Sequence, residues 1–128
     1  MAIPKARVRI SRPDVLQGKT YKITPAIMDE ADYITVNAGL SDEELRPVAI
    51  FINSKDMRNF EWVSAMTRLI SAQFQQPGPF PKFVIEEMKD SHDANGGYFL
   101  QGGGGKVASV VAHVGLILEK HCKELKLI

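Results

Sequence analysis

Cysteine is nearly absent: Cys122 stands alone in 128 residues. One thiol excludes an intramolecular disulfide framework and a cysteine-rich zinc site within one chain. It falls in a C-terminal helical pattern, where a free Cys reads as a small buried hydrophobe rather than a reactive group. An excess of charge of one sign is missing too. Sixteen Lys+Arg stand against fifteen Asp+Glu, a formal net charge of +1. That balance supplies no long-range field to draw in nucleic acid or anionic lipid, which argues against both as partners. No apolar run approaches the roughly 20 residues needed to span a bilayer. The first residues, Met1 to Arg7, lack the apolar segment of a secretory leader, so a cytoplasmic protein is expected. Internal repeats are lacking as well. What remains is ordinary globular composition, 45% hydrophobic and 24% charged, read as one domain over 1–128 with 1–6 as a disordered tail.

The first half carries strand patterns. Arg7-Val8-Arg9-Ile10 alternates charged and apolar residues until Arg12-Pro13-Asp14 interrupts it. Thr20-Tyr21-Lys22-Ile23-Thr24 is β-branched and aromatic and stops at Pro25. In Tyr33-Ile34-Thr35-Val36-Asn37 the pattern puts Ile34 and Val36 on one face, Tyr33 and Thr35 on the other. After the acidic stretch Ser41-Asp42-Glu43-Glu44, the run Pro47 to Asn53 is nearly all apolar, the signature of a central strand covered on both faces. Short links make an antiparallel meander.

The second half changes period. Phe60, Trp62, Val63, Met66, Leu69, Ile70 and Phe74 recur at steps of three and four, predicting a core-facing helix that begins at an Asp56 cap and ends before Pro77. Pro81 suits the first turn of a shorter helix bearing Phe83, Val84 and Met88. A turn-rich stretch from Ser91 holds the run Gly102 to Gly105. A last helix follows from Lys106, with Val107, Val110, Val111, Val114, Ile117, Leu118 and Leu125 as its stripe and Glu119–Lys123 as a pair across one turn. The fold class is therefore α+β: a small antiparallel sheet of three to five strands in the N-terminal half, packed against three helices in the C-terminal half.

Chemistry-bearing motifs are sparse. The glycine run followed by Lys106 invites a phosphate loop, but Val107 stands where a magnesium-holding Ser or Thr is required, and no strand precedes it. The plainer reading is a hairpin or loop tip, with glycine supplying positive φ. His113 and His121 are eight residues apart, too far to share an ion on one helix. His92-Asp93 reads as a turn, and His121 as a satisfied core histidine. Ser54, Ser64, Ser71 and Ser109 lack a nucleophile-elbow context. The pairs Glu43-Glu44 and Glu86-Glu87 diverge by about 100° if helical and cannot share a site. Trp62 reads as core; Asn53 and Lys55 sit at a strand-to-helix turn, a common place for ligand contact; Arg68 sits mid-helix, suited to an ion pair.

One set of segments is distinctive. Phe51-Ile52-Asn53-Ser54-Lys55, then Trp62 and Thr67-Arg68-Leu69-Ile70-Ser71-Ala72, then Gly96-Gly97-Tyr98 resembles the C-terminal region of adenosylcobalamin-dependent (class II) ribonucleotide reductases, the TSCPD domain family. Arg12 to Ile23 is similar to its entry segment, and Val110-Val111-Ala112 with Ile117 to His121 to its last helix. The cysteine-containing motif that gives the family its name is absent, and neither a catalytic barrel nor a set of reducing thiols fits in this length. The resemblance therefore implies an accessory or regulatory chain, not catalytic by itself. It would bind no cofactor, adenosylcobalamin belonging to a partner catalytic chain. Its expected partner is that reductase chain or a second copy of itself, met through Tyr98, Phe99 and Leu100. The alternatives are a module for a nucleotide or phosphorylated metabolite around Arg58, Arg68 and Lys106, or a homo-oligomeric interaction protein unrelated to the reductase. The candidate ligand or partner residues are Asn53, Lys55, Arg68, Tyr98, Phe99 and Lys106; no catalytic residue and no metal ligand is nominated.

Overall fold

The computed structural model describes residues 17–25, 31–41, 44–55 and 57–128, with the backbone alone at Ser41 and Gln101. The expected first strand Arg7 to Ile10, its break at Pro13, the 1–6 tail and the Asp56 cap lie outside the described residues. Strand β1 (Gln17–Ile23), β2 (Asp32–Ser41) and β3 (Glu44–Ser54) form an antiparallel sheet in the order β1-β2-β3. The alternation in β2 behaves as its sequence dictates: Ile34 and Val36 are fully buried, while Tyr33 faces out. A register shift between Asn37 and Ala38 falls beside Pro47, which has no N–H to give to the ladder.

Among the described residues β3 is an edge strand, although its apolar run reads as a central one. Helix α1 (Phe60–Phe74) lies along that edge. Ile50 N donates to Ser71 Oγ at 3.0 Å, and Gln75 Nε2 donates to Val48 O at 2.9 Å. The C-terminal end of α1 is closed by a residue that composition alone would leave on the surface. Arg46, fully buried, donates to the carbonyls of Phe74 (2.9 Å), Gln76 (3.3 Å) and Gly78 (2.7 Å), and its guanidinium lies over Phe80. The Phe74 carbonyl is one that the helix end leaves unpaired, the other two belong to the turn that follows, and a cation there also meets the negative end of the helix dipole. Burial lowers the pKa of this guanidinium from 12.5.

Helix α2 (Phe83–Lys89) packs on α3 (Val110–Glu124), tied by Lys89 to Glu119. Glu119 also meets Lys123 at 3.6 Å, as the spacing predicts. Between the two helices, β4 (Tyr98–Phe99) and β5 (Lys106–Val107) make a hairpin whose tip holds the glycine run. Gly102, Gly103 and Gly105 adopt φ of 77°, 80° and 90°, a region closed to most side chains. Lys106 thus lies in a strand and does not open the helix. Ser109 opens it, accepting from Ala112 N at 3.0 Å. The core joins Ile34, Val36 and Ile50 of the sheet to Phe74, Ile85, Val114, Leu118 and Cys122.

The apolar stripe of α1 is two stripes. Thr67, Ile70 and Phe74 face the core, with Val63 and Met66 half-buried. Trp62 and Leu69, seven residues or about two turns apart, lie roughly 100° round the helix from that face and are 79% and 69% exposed. Trp62 is therefore not core, and Phe60 at the helix start is exposed as well. Steps of three and four sum to both faces when large apolar residues occupy each. No helix among the described residues is long and apolar enough to cross a membrane.

Candidate functional site

At one end of the sheet β2 begins and β3 finishes, so Asp32 and Ser54 stand opposite in register. The first turns of α1, the loop after α2 and the first turn of α3 close around this end. They enclose a cavity of about 470 Å³. Its walls are mostly apolar, from Ile52, Val63, Met66, Val111 and Val114, with Trp62 on the exposed side. A concave apolar space with a few polar groups is the ordinary form of a small-molecule site.

The polar groups fall into two kinds. Most are engaged by their own turns. Ser109 caps α3 and donates to Ser91 O at 2.7 Å; Asp93 Oδ1 accepts from Asn95 N at 2.8 Å; His92 Nδ1 is 2.7 Å from Asp90 O. Asp32 differs. The residue is 5% exposed, and Oδ1 is itself buried with no hydrogen-bond partner among the described residues. Its charge, after burial, helps hold the Tyr98 phenol up at about 12.

A second cavity of about 550 Å³ lies between the hairpin and α3, bordered by Lys22, Tyr98, Phe99, His113 and Lys120. Tyr98 is buried, and its hydroxyl shares a 2.7 Å hydrogen bond with His113 Nδ1. Burial lowers the pKa of His113 from 6.5. A matching pair, Tyr21 and His121, joins β1 to α3 at 2.7 Å, and burial lowers His121 likewise. His121 is thus a core histidine satisfied at Nδ1, while its Nε2 has no partner among the described residues.

The residues singled out from sequence scatter. Tyr98 and Phe99 both border the second cavity, but only Phe99 is exposed. Lys106 places its ammonium 5.8 Å from the Phe99 ring centroid. Asn53 and Lys55 are exposed at the end of β3 and border neither of these cavities. Arg68 is exposed on α1 beside Phe60 and Leu69 and forms no ion pair among the described residues. Arg58, by contrast, borders the first cavity. Asp32 was missed, although a signal exists: it is in phase with Ile34 and Val36, so the alternation already puts a carboxylate on the buried face. No group of three His, Cys, Asp or Glu among the described residues is arranged to hold a metal ion.

A family model described as the TSCPD domain matches residues 3–122, nearly the whole chain. No curated protein and no solved structure matches it.

Proposed function

The chain belongs to the TSCPD domain family, a domain associated with ribonucleotide reductase, and on that premise we propose that it is an accessory domain that docks on a reductase catalytic chain. The observation that carries this reading is the outer stripe of α1. Trp62 and Leu69, two turns apart on the solvent side of a helix already packed on its inner side, do nothing for this fold. Large apolar side chains placed this way are what interface anchors look like. The hairpin aromatics are the weaker candidate, because Tyr98 is turned inward and leaves Phe99 as the exposed ring.

In this reading the adenosylcobalamin stays with the catalytic partner. The chain contributes contact, not chemistry. The test is co-expression with the reductase catalytic chain of the same host, followed by light scattering of the purified product. A complex of fixed ratio is expected, weakened by about 2 kcal/mol or more, roughly 30-fold, by Trp62→Asp or Leu69→Asp. Both variants should melt at the parent temperature. No complex, or a complex indifferent to both substitutions, would sink the proposal; weakening by Phe99→Asp alone would move the surface to the hairpin.

A further inference from the structure

We propose that the outer face of α1 is self-complementary and pairs with the same face of a second copy of this chain, helix against helix and antiparallel. It uses the face assigned above to docking, but rests on the charge pattern of that face and not on the reductase partner.

The pattern has a period of seven. Glu61 and Arg68 are seven residues apart, and so are Trp62 and Leu69. Seven residues make nearly two whole turns, so each pair occupies one line along the helix, and the two lines lie about 100° apart. One line carries opposite charges at its two ends; the other is apolar. All four side chains are exposed. Ala65, exposed as well, stands between the lines near the middle of both, opposite the buried side of the helix. A hollow of about 480 Å³ opens beside it, bordered by Phe60, Glu61, Ser64, Arg68 and Leu69. Glu61 and Arg68 are separated by about 10.5 Å of helix rise, and neither forms an ion pair among the described residues.

A twofold axis that crosses the helix beside Ala65 supplies each of them with a partner. Such an axis reverses the direction of the second helix and keeps each line on its own side. Glu61 of one copy then meets Arg68 of the other, twice over, and Trp62 meets Leu69 in the same way. Opposite charges lie together on one side of the contact, and the large apolar groups lie together on the other. At the axis itself Ala65 offers only a methyl group, which lets the two helices approach closely. A parallel pair would instead set Glu61 against Glu61 and Arg68 against Arg68. The antiparallel contact is isologous and closes on itself, so it yields a dimer and nothing larger. One helix pair buries less surface than a permanent dimer does, which makes the pairing reversible and leaves the dilute chain monomeric. A chain docked on another protein through α1 and a chain paired with itself are thus alternative states of one face.

The test uses this chain alone, so its outcome is separate from that of the docking experiment. Sedimentation velocity at rising concentration should show monomer passing to dimer. Trp62 is the only tryptophan, and its emission should move to shorter wavelength as the second copy covers it. Glu61→Arg and Arg68→Glu should each weaken the dimer by about tenfold or more, since each turns two attractions into two repulsions. Mixed in equal amounts, the two variants should pair with each other, because one brings only basic groups to the contact and the other only acidic ones. A chain that stays monomeric at near-millimolar concentration, a species larger than a dimer, indifference to both reversals, or a mixture that does not pair would each overturn the proposal. Should either variant fail to fold, Ala65→Cys decides. Its intermolecular disulfide should form about tenfold faster than that of Glu86→Cys, on the exposed side of α2; equal rates overturn the pairing.

Discussion

Helices α1 and α3 have the same length, 15 residues each, and similar apolar content, yet they use it differently. α3 buries Ala112, Val114, Gly115, Leu118, His121 and Cys122, and its start is held by the Ser109 hydroxyl. α1 buries only Thr67, Ile70 and Phe74, has no side-chain cap at its start, and turns Trp62 and Leu69 to solvent. α3 spends its hydrophobic residues on the fold. α1 keeps two of its largest in reserve, and residues that the fold does not need are the ones to assign to function.

The strongest way to break that contrast is to truncate one leucine on each helix. Leu118, fully buried, sits in the core between the sheet and α2. Leu118→Ala should cost about 2–5 kcal/mol in urea unfolding, the lost transfer energy plus the cavity left behind. Leu69→Ala should change stability by less than about 0.5 kcal/mol, as surface substitutions do. Equal losses would show that α1's outer stripe is covered in the native protein.

A smaller effect is expected where α3 meets α2. A Cβ on Gly115 would stand 3.0 Å from Met88 Cβ and 3.1 Å from Lys89 N. The close approach of these helices therefore depends on a residue with no side chain. Gly115→Val should cost about 1–3 kcal/mol through overpacking, readable as a lower thermal midpoint. The same kind of substitution at Ala65, on the exposed side of α1, should be near neutral.

Near neutral pH the mildest effect is pH dependence, and it gathers on α3 and the hairpin that meets it. Burial lowers His113 and His121 below 6.5. The unfolded chain takes up these protons first, so stability is full above pH 6.5 and declines as pH falls toward the folded values. At the other end, burial holds Tyr98 at about 12 from 10.0 and the Cys122 thiol at about 12 from 9.0. The unfolded chain loses those protons first, so stability declines again as pH rises from 9 toward 12. Chemical denaturation across pH should show both shoulders, and replacing His113 and His121 by Gln should flatten the acid one.

The sequence made the existence and end of α1 legible, because apolar residues recur at helical steps and Pro77 forbids continuation, but the helix starts at Phe60 after Asn59 rather than directly after Asp56. The meander and the α+β class followed from strand patterns separated by short polar links. Four features were not legible, each for a physical reason. The apolar run of β3 cannot distinguish burial by a neighbouring strand from burial by a helix laid along its edge. Arg46 reads as surface charge, since nothing local announces that the carbonyls it satisfies lie about thirty residues away. The last helix was started too early because Val107 fits the stripe by spacing, while its partner Tyr98 in the hairpin is invisible to periodicity. Asp32 and the cavity beside it needed the ends of two strands and two helices brought together.

The seal that Ser71 and Gln75 place on β3 bears on solubility as well as on shape. An open strand edge is a template for adding strands from other molecules, and charge, proline or a covering element normally blunts it. Here that guard is the inner side of the helix whose outer side is offered for docking. A partner that took hold of Trp62 and Leu69 strongly enough to lift α1 away would uncover Val48 to Ile52, an apolar β-branched stretch of the kind that seeds aggregation. Recognition through α1 is therefore constrained to leave the helix in place, gripping it from outside.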